Sequence, residues 1–383
     1  MKLKETFLKT EIGGKTFVLP YGQSIADHDA GISLNGTGEI LWEGIEKGYG
    51  KEELLCLLKK EFAMENGTEE ELSNDIISFQ EYLKAVGIAE TKEPEDYGWS
   101  PLSFSTGPLH IIYKGPQMLY DKYFSQFGSR QKKKADLTIQ ISFLPPHSLK
   151  NGTILVRTDE LLLIDTKNDY LFLFPKFPVL REMHVRKNGS QAILFCDNSL
   201  LEQQMEDIFH GIRFAVLIAA SEKGLFFLHS ASLLYQGKAW LFSGKSGTGK
   251  STHTNLWKEQ FCTELLNGDL NMIGFENSSA YVYGQPWCGT SEICTPENFP
   301  LGGITFLKQA GQNICTVPET PEKILAIIQR LISPAWDEIL LKRNISFAEQ
   351  LEKHCPVWQL SCTPDKEAAI VMKKEIDKHI KTC

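Results

Sequence analysis

Gly244, Lys245, Ser246, Gly247, Thr248, Gly249, Lys250, Ser251 and Thr252 carry the clearest chemistry in the chain. Gly244 to Ser251 is a complete G-x-x-x-x-G-K-[ST] motif. The apolar run Lys238 to Ser243 precedes it, and a helix-compatible stretch, Ser251 to Gln260, follows. A strand–loop–helix in that order is the context in which this motif binds phosphates. Glycines let backbone N–H groups wrap the anion, and the helix N-terminus adds partial positive charge. Lys250 would reach the β- and γ-phosphates of ATP, and the Ser251 hydroxyl would bind Mg²⁺. A carboxylate near the metal is also required. Asp269, after the short run Thr263 to Leu266, is a candidate Mg²⁺ ligand or base; the alternative is that Gly268-Asp269 is only a turn. His229, just before the strand pair that leads into the loop, is either a second catalytic group or structural. Glu292, after Trp287-Cys288-Gly289, is a weaker candidate.

The chain that must position these groups has 383 residues, with 42% apolar and 23% charged residues and a net charge of −8. That length suggests two or three domains, and the composition is that of a folded globular protein. The longest apolar stretch, Phe214 to Ala220, is too short to cross a bilayer, so no membrane partner is expected. No apolar segment of signal-peptide type follows Met1, which points to a cytoplasmic protein. Nine scattered cysteines without a Cys-x-x-Cys pair suit reduced thiols and no structural zinc; Cys288 and Cys294 lack a second ligand-like pair. Residues 1–96 hold 10 Lys, no Arg and 20 Asp and Glu, a balance of −10. An acidic front without Arg is a poor partner for nucleic acid. It suits either a basic peptide or plain solvation.

The front of the chain reads as an α+β unit. Phe7 to Ile12 and Lys15 to Leu19 flank Gly13-Gly14, a hairpin signal. A short strand through Gly31 to Leu34 follows. Asn35 is placed to cap a helix that stops near Gly48. A second helix spans Lys51 to Phe62. A third puts Leu72, Ile76, Phe79, Leu83 and Val86 on one face and ends at Gly87. Lys92 to Pro101 reads as a linker. Residues 98–200 alternate short β-runs with turns such as Pro145-Pro146, Asn151-Gly152 and Asn188-Gly189, and the basic run Arg130 to Lys134 as a solvated loop. From residue 201 the pattern is α/β. In Thr320-Pro321 and Thr363-Pro364 the threonine is expected at the helix cap and the proline at the first helical position.

Two family resemblances rest on these residues. Leu228-His-Ser-Ala-Ser232, Gly244 to Ser251, Asn267-Gly-Asp269 and Pro300-Leu-Gly-Gly-Ile-Thr-Phe-Leu307 resemble the HPr kinase/phosphorylase-like family, over about residues 201–383. The resemblance implies a P-loop domain related to phosphoenolpyruvate carboxykinase, with His229, Asp269, Lys250 and Ser251 in one phosphate and metal site. That family has two adjacent acids where this chain has Gly268-Asp269, so one carboxylate must do both jobs or another group helps. The substrate-docking segment of the HPr enzyme has no good match here. Asn35-Gly-Thr-Gly-Glu-Ile-Leu-Trp42, the Leu-rich helix and Phe79 to Ile88 resemble the PqqD family of peptide-recognition domains over residues 1–92. That resemblance implies a winged-helix-like unit that takes a precursor's leader as an added strand against the third helix, with Ile32, Phe79 and Leu83 at the binding face. The alternatives are a winged-helix DNA binder, against which the −10 balance and the absence of Arg argue, and a packing domain.

Together they suggest an ATP- and Mg²⁺-dependent kinase acting on a side-chain hydroxyl, Ser above all, of a ribosomally made precursor peptide, alongside other peptide-modifying enzymes. The alternatives are a small-molecule or free amino-acid kinase, and a non-catalytic, nucleotide-switched protein that presents a peptide.

Overall fold

The computed structural model describes residues 1–383 except 2, 27–30, 62–68, 90–97, 130–132, 145, 147–151, 199–200 and 383. Phe62, most of the linker and parts of the Arg130, Pro145 and Asn151 segments therefore lie outside the described residues. The chain divides into two units, Met1–Glu95 and Asp96–Cys383.

The first unit is α+β. Strands β1 (Phe7–Ile12) and β2 (Lys15–Pro20) form the hairpin, with Gly13 and Gly14 at φ 60° and 75°, values an L-side chain resists. After the short helix α1 (Gln23–Ala26), β3 (Ile32–Leu34) pairs with β2, so among the described residues one edge of β3 is open. Helices α2 (Gly36–Glu46), α3 (Lys51–Glu61) and α4 (Glu69–Ala85) follow. Asn35 caps α2 by accepting from Gly38 N at 2.8 Å. Val18, Leu41, Leu54, Leu58, Ile76 and Leu83 form the core of this unit.

The second unit opens with β4 (Leu102–Thr106), β5 (Leu109–Lys114), helix α5 (Gln117–Tyr123), β6 (Leu137–Ser142), β7 (Thr153–Arg157), β8 (Leu162–Asp165), β9 (Asp169–Leu173), β10 (Leu180–Arg186) and β11 (Gln191–Cys196). They make an eight-stranded sheet in the order β4-β5-β6-β11-β10-β9-β8-β7. Helix α6 (Met205–Glu222) is apolar nearly all round and buries eleven residues. Such a helix needs cover on more than one side. Here it packs on β6, β10 and β11 and also on β12 (Phe226–Tyr235) of the next sheet, so segments 98–200 and 201–383 share one core.

The remaining elements are β13 (Lys238–Ser243), α7 (Lys250–Phe261), β14 (Glu264–Asn267), β15 (Leu270–Glu276), β16 (Ser279–Tyr283), β17 (Phe299–Gln309), β18 (Ile314–Thr316), α8 (Thr320–Ile328), α9 (Glu338–His354), β19 (Val357–Cys362) and α10 (Lys366–Thr382). The second sheet closes on itself. β12 pairs with β13, β13 with β17, β17 with β16, β16 with β15 and β15 with β12. β19 and β18 extend it beyond β17. Two caps differ from expectation. The residue before α8 is Glu319, whose N donates to Glu322 Oε2 at 3.3 Å, so Thr320 and Pro321 are its first two residues. α10 begins at Lys366, and Asp365, not Thr363, accepts from Glu367 N at 3.1 Å. In each case a carboxylate takes the orphan N–H groups, and its charge suits the helix N-terminus better than a hydroxyl. Among the described residues no helix is long and apolar enough to cross a membrane.

Candidate functional site

Strand β12 acts as a ruler for the site. On one side Ser230 pairs with Ser243, the last residue of β13. On the other, His229 pairs with Leu270, the first residue of β15. The Gly244 loop leaves β13 and the Gly268-Asp269 turn joins β14 to β15, so both emerge beside His229 and Ser230. Backbone bonds fix the arrangement. Ser230 N donates to Asp269 O at 2.9 Å, His229 N donates to Arg330 O at 2.9 Å, and Ser243 Oγ donates to His229 O at 2.7 Å. Asn267 Oδ1 accepts from the N–H groups of Asp269 and Leu270, both at 3.0 Å, and holds the turn.

Gly247 and Gly249 sit at φ 78° and 94°, and a Cβ on Gly247 would meet nothing within 4 Å. The loop is thus an open, strongly curved backbone with free space above it. Lys245, Ser246, Gly247, Ser251 and Thr252 are exposed, and Lys250 is half-buried as the first residue of α7.

His229, Lys250 and Asp269 come together. His229 Nε2 lies 3.2 Å from Asp269 Oδ1, with the side chains 27% and 39% exposed, so both remain reachable. The hydrogen bond from His229 holds the Asp269 carboxyl below its ordinary range against the opposing effect of burial, and Lys250 and Arg213 add to it. Burial pulls the Lys250 ammonium down; nearby Arg330 adds to that and Asp269 opposes it. Glu292 is exposed on the neighbouring 288–294 segment.

Two residues that sequence reasoning missed join this group. Arg213 lies on α6, one turn beyond Phe209. Trp287 Nε1 donates to Phe209 O at 3.1 Å, and Trp287 O accepts from Asn267 Nδ2 at 3.3 Å, which ties this face of α6 to the Asp269 turn. The Arg213 Nε is buried without a hydrogen-bond partner among the described residues, and burial pulls the guanidinium down while Asp269 opposes that. Arg330 follows α8. Neither carries a local motif; a basic residue inside an otherwise apolar helix face, as at Arg213, was the available signal.

The single acid in the turn has a steric cause. A Cβ on Gly268 would lie 2.0 Å from Ser291 Oγ, so no side chain fits there. Gly268→Ala should therefore destabilise the protein by about 1–3 kcal/mol, the usual cost of overpacking. In urea unfolding, Ser291→Gly should recover part of that loss when combined with it. A double variant as unstable as the two singles summed would remove the clash as the reason.

His253, one turn into α7, is 3% exposed and accepts a hydrogen bond from Trp257 Nε1 at 3.1 Å. Burial pulls its imidazole down to about 4, so it stays neutral in the folded protein. The unfolded chain, with an ordinary value of about 6.5, takes up the proton first as pH falls. The stabilising effect is complete above pH 6.5 and is lost as pH drops towards 4. Between pH 7 and pH 5 it amounts to about 2 kcal/mol. Denaturant melts at both pH values should show that loss. His253→Gln, which keeps an acceptor for Trp257, should show a loss smaller by about that amount; an unchanged pH slope would refute the assignment.

In the first unit an open cleft of about 610 Å³ runs between β3 and α4, lined by Ser33, Leu34, Asn35, Phe79 and Tyr82 among others. Phe79 faces it, whereas Ile32 and Leu83 are buried at 5% and 0% exposure and serve the core. Tyr82, 48% exposed, and the hairpin residues Lys15 and Thr16 are cleft residues the sequence did not single out.

No family model matches the chain, and no curated protein matches it. Among solved structures, the HPr(Ser) kinase/phosphatase from Coxiella burnetii is similar at 9% identity, over 41% of this chain and 97% of that one, with a TM-score of 0.24.

Proposed function

We propose that the chain is an ATP-dependent kinase that phosphorylates a side-chain hydroxyl, that of serine, on a ribosomally made precursor peptide held by the first unit. The observation that carries the reading is the meeting of Lys250 and an ionised Asp269 at the mouth of an open glycine loop set between β13 and α7. Loop N–H groups and Lys250 receive the triphosphate. Asp269, steadied by His229, orients the acceptor hydroxyl and takes its proton. Arg213 and Arg330 raise the positive charge around the transferred group, where charge placed in advance is worth most. A serine hydroxyl and a carboxylate are hard oxygen donors that suit Mg²⁺, so Ser251 and Asp269 would hold it, and it would neutralise phosphate charge.

The cleft beside the open edge of β3 supports peptide docking. An extended segment added there would gain main-chain bonds from the edge and side-chain contacts from Phe79 and Tyr82. Incubation with ATP, Mg²⁺ and candidate precursor peptides, followed by mass spectrometry, tests the reading. Stoichiometric phosphate on a peptide hydroxyl is expected. Phosphate only on free amino acids would favour a small-molecule kinase, and ATP binding with no phosphorylated product would favour a nucleotide-switched presenting protein.

A further inference from the structure

The glycine loop stands on the end of β17. Strand β13, which delivers the loop, lies between β12 and β17: Ser243 pairs with Ser230 on one side and with Phe306 on the other. His229 and the Asp269 turn belong to the β12 side. On the β17 side the loop touches ground twice. A Cβ on Gly244 would lie 3.1 Å from Leu307 O, so the root of the loop is seated on the strand's backbone. Farther along, Gln309 Nε2 donates to Gly247 O at 2.9 Å.

That second contact falls where the loop most needs one. Gly247 is in the left-handed region at φ 78°, and a Cβ there would meet nothing within 4 Å. No side chain therefore opposes a flip of the peptide between Gly247 and Thr248. The two orientations of that peptide are not equivalent for an anion. The group is planar, so its C=O and N–H point in opposite directions. With the carbonyl held on the β17 side, its negative end is kept from the side that carries His229 and Asp269, and the Thr248 N–H is turned the other way. Thr248 N donates to Lys245 O at 3.2 Å, a long bond that a phosphate oxygen can replace. Flipped, the carbonyl would face the phosphate and repel it. The donor is firmly mounted. Gln309 pairs with Cys362 of β19, and Ala310 N donates to Cys362 O at 3.0 Å. Just beyond, Asn313 Nδ2 donates to Thr363 Oγ1 at 2.8 Å and Thr363 N donates back to Asn313 Oδ1 at 2.9 Å.

We propose that Gln309 is a positioning residue for the nucleotide: its amide holds the Gly247 carbonyl out of the anion hollow and keeps the loop's N–H groups turned in. The inference rests on the reading of this loop as the triphosphate site. Gln309 acts through the loop backbone, which sets the shape that the phosphates meet. As an exposed bond between neutral groups it should be worth about fivefold in nucleotide affinity.

Gln309→Leu in the full chain removes the donor and keeps most of the bulk. A fluorescent ATP analogue should bind this variant about fivefold more weakly than the parent, while the urea midpoint stays where it was. Hydrogen exchange in the nucleotide-free protein reads the clamp itself. Amides of residues 245–249 should exchange at least about threefold faster in Gln309→Leu, with β13 and the second half of α7 unchanged. Gln309→Lys restores a donor of similar reach. It should return the loop amides to within about twofold of the parent, before any phosphate is present for its charge to attract. Faster exchange spread over the whole unit, or no rescue by lysine, would mark a merely structural side chain and overturn the proposal. Unchanged loop exchange in Gln309→Leu overturns it as well. The two readings fail separately. A parent chain that does not bind the analogue sinks the nucleotide site itself, whereas binding by the parent with no change in Gln309→Leu sinks only the clamp.

Discussion

Lys250→Ala should lower phosphate transfer from ATP by about a thousandfold, at the upper end of what one preorganised charge contributes in a phosphoryl site. The fold should not notice, because burial already disfavours the Lys250 charge and the loop above it is open. Asp269→Asn should cost as much by a different route. It keeps the shape of the side chain and can still accept from His229, but it removes the negative charge that metal and acceptor hydroxyl both need. The two variants should separate when nucleotide binding is read apart from transfer. A fluorescent ATP analogue should bind Lys250→Ala at least about tenfold more weakly, since a charge-assisted phosphate contact is lost. It should bind Asp269→Asn about as well as the parent, since the carboxylate repels the triphosphate as much as it helps the metal. Mass spectrometry of the peptide product then decides. Asp269→Asn that transfers phosphate within tenfold of the parent would remove Asp269 as base and ligand, and Lys250→Ala with normal ATP binding would remove the loop as the nucleotide site.

Much of this site was legible because its residues sit next to strong local signals. The glycine loop announces itself by spacing, and a glycine turn after a short apolar run was enough to mark Asp269. The pairing of His229 with Asp269 is a matter of strand register, which a sequence does not print. Only the placement of β12 between β13 and β15 brings them to 3.2 Å. Arg213 was hidden for the same reason: its helix is tied to the turn at Phe209 through Trp287 and Asn267, contacts between segments far apart in the chain. Several elements were missed where the buried stripe is not an apolar stripe. In α9 the buried face is Leu340, Asn344, Phe347, Ala348 and Leu351, while Ile339 and Leu341 point outward at 68% and 41% exposure. Asn344 sits in that face because its Nδ2 donates to Pro334 O at 3.2 Å. β15 was hidden by Gly274, which packs against Leu225 where a Cβ would come within 2.4 Å. In the first unit the periodicity of α4 marks its apolar residues but not which of them face the core and which the cleft; Leu83 falls on one side and Phe79 on the other.

That division bears on the second large effect. Removing residues 1–92 should raise the apparent KM for a full-length precursor by at least about tenfold and leave ATP binding unchanged. A leader docked on the first unit would hold its acceptor at roughly millimolar local concentration, a gain that disappears with the docking site. A precursor without its leader should be a poor substrate for both proteins alike. The cleft allows a gentler test than deletion. Tyr82 is 48% exposed on α4 and outside the core, so Tyr82→Ala should leave the unit folded. Loss of its ring from the cleft should still raise KM for the full-length precursor about tenfold, the effect of one aromatic anchor. Leu83→Ala makes the contrast. Its side chain is fully buried, so it should cost about 2–5 kcal/mol of stability and disturb binding only by unfolding the unit. The charge balance of the first 96 residues adds a salt test. If basic leader residues meet this acidic surface, raising ionic strength should weaken leader binding. Affinity independent of salt would leave strand addition and the Phe79–Tyr82 wall as the whole attraction. Equal kcat/KM for parent, truncated and Tyr82→Ala proteins on the full-length precursor would sink leader recognition by this unit and leave the phosphate site standing alone.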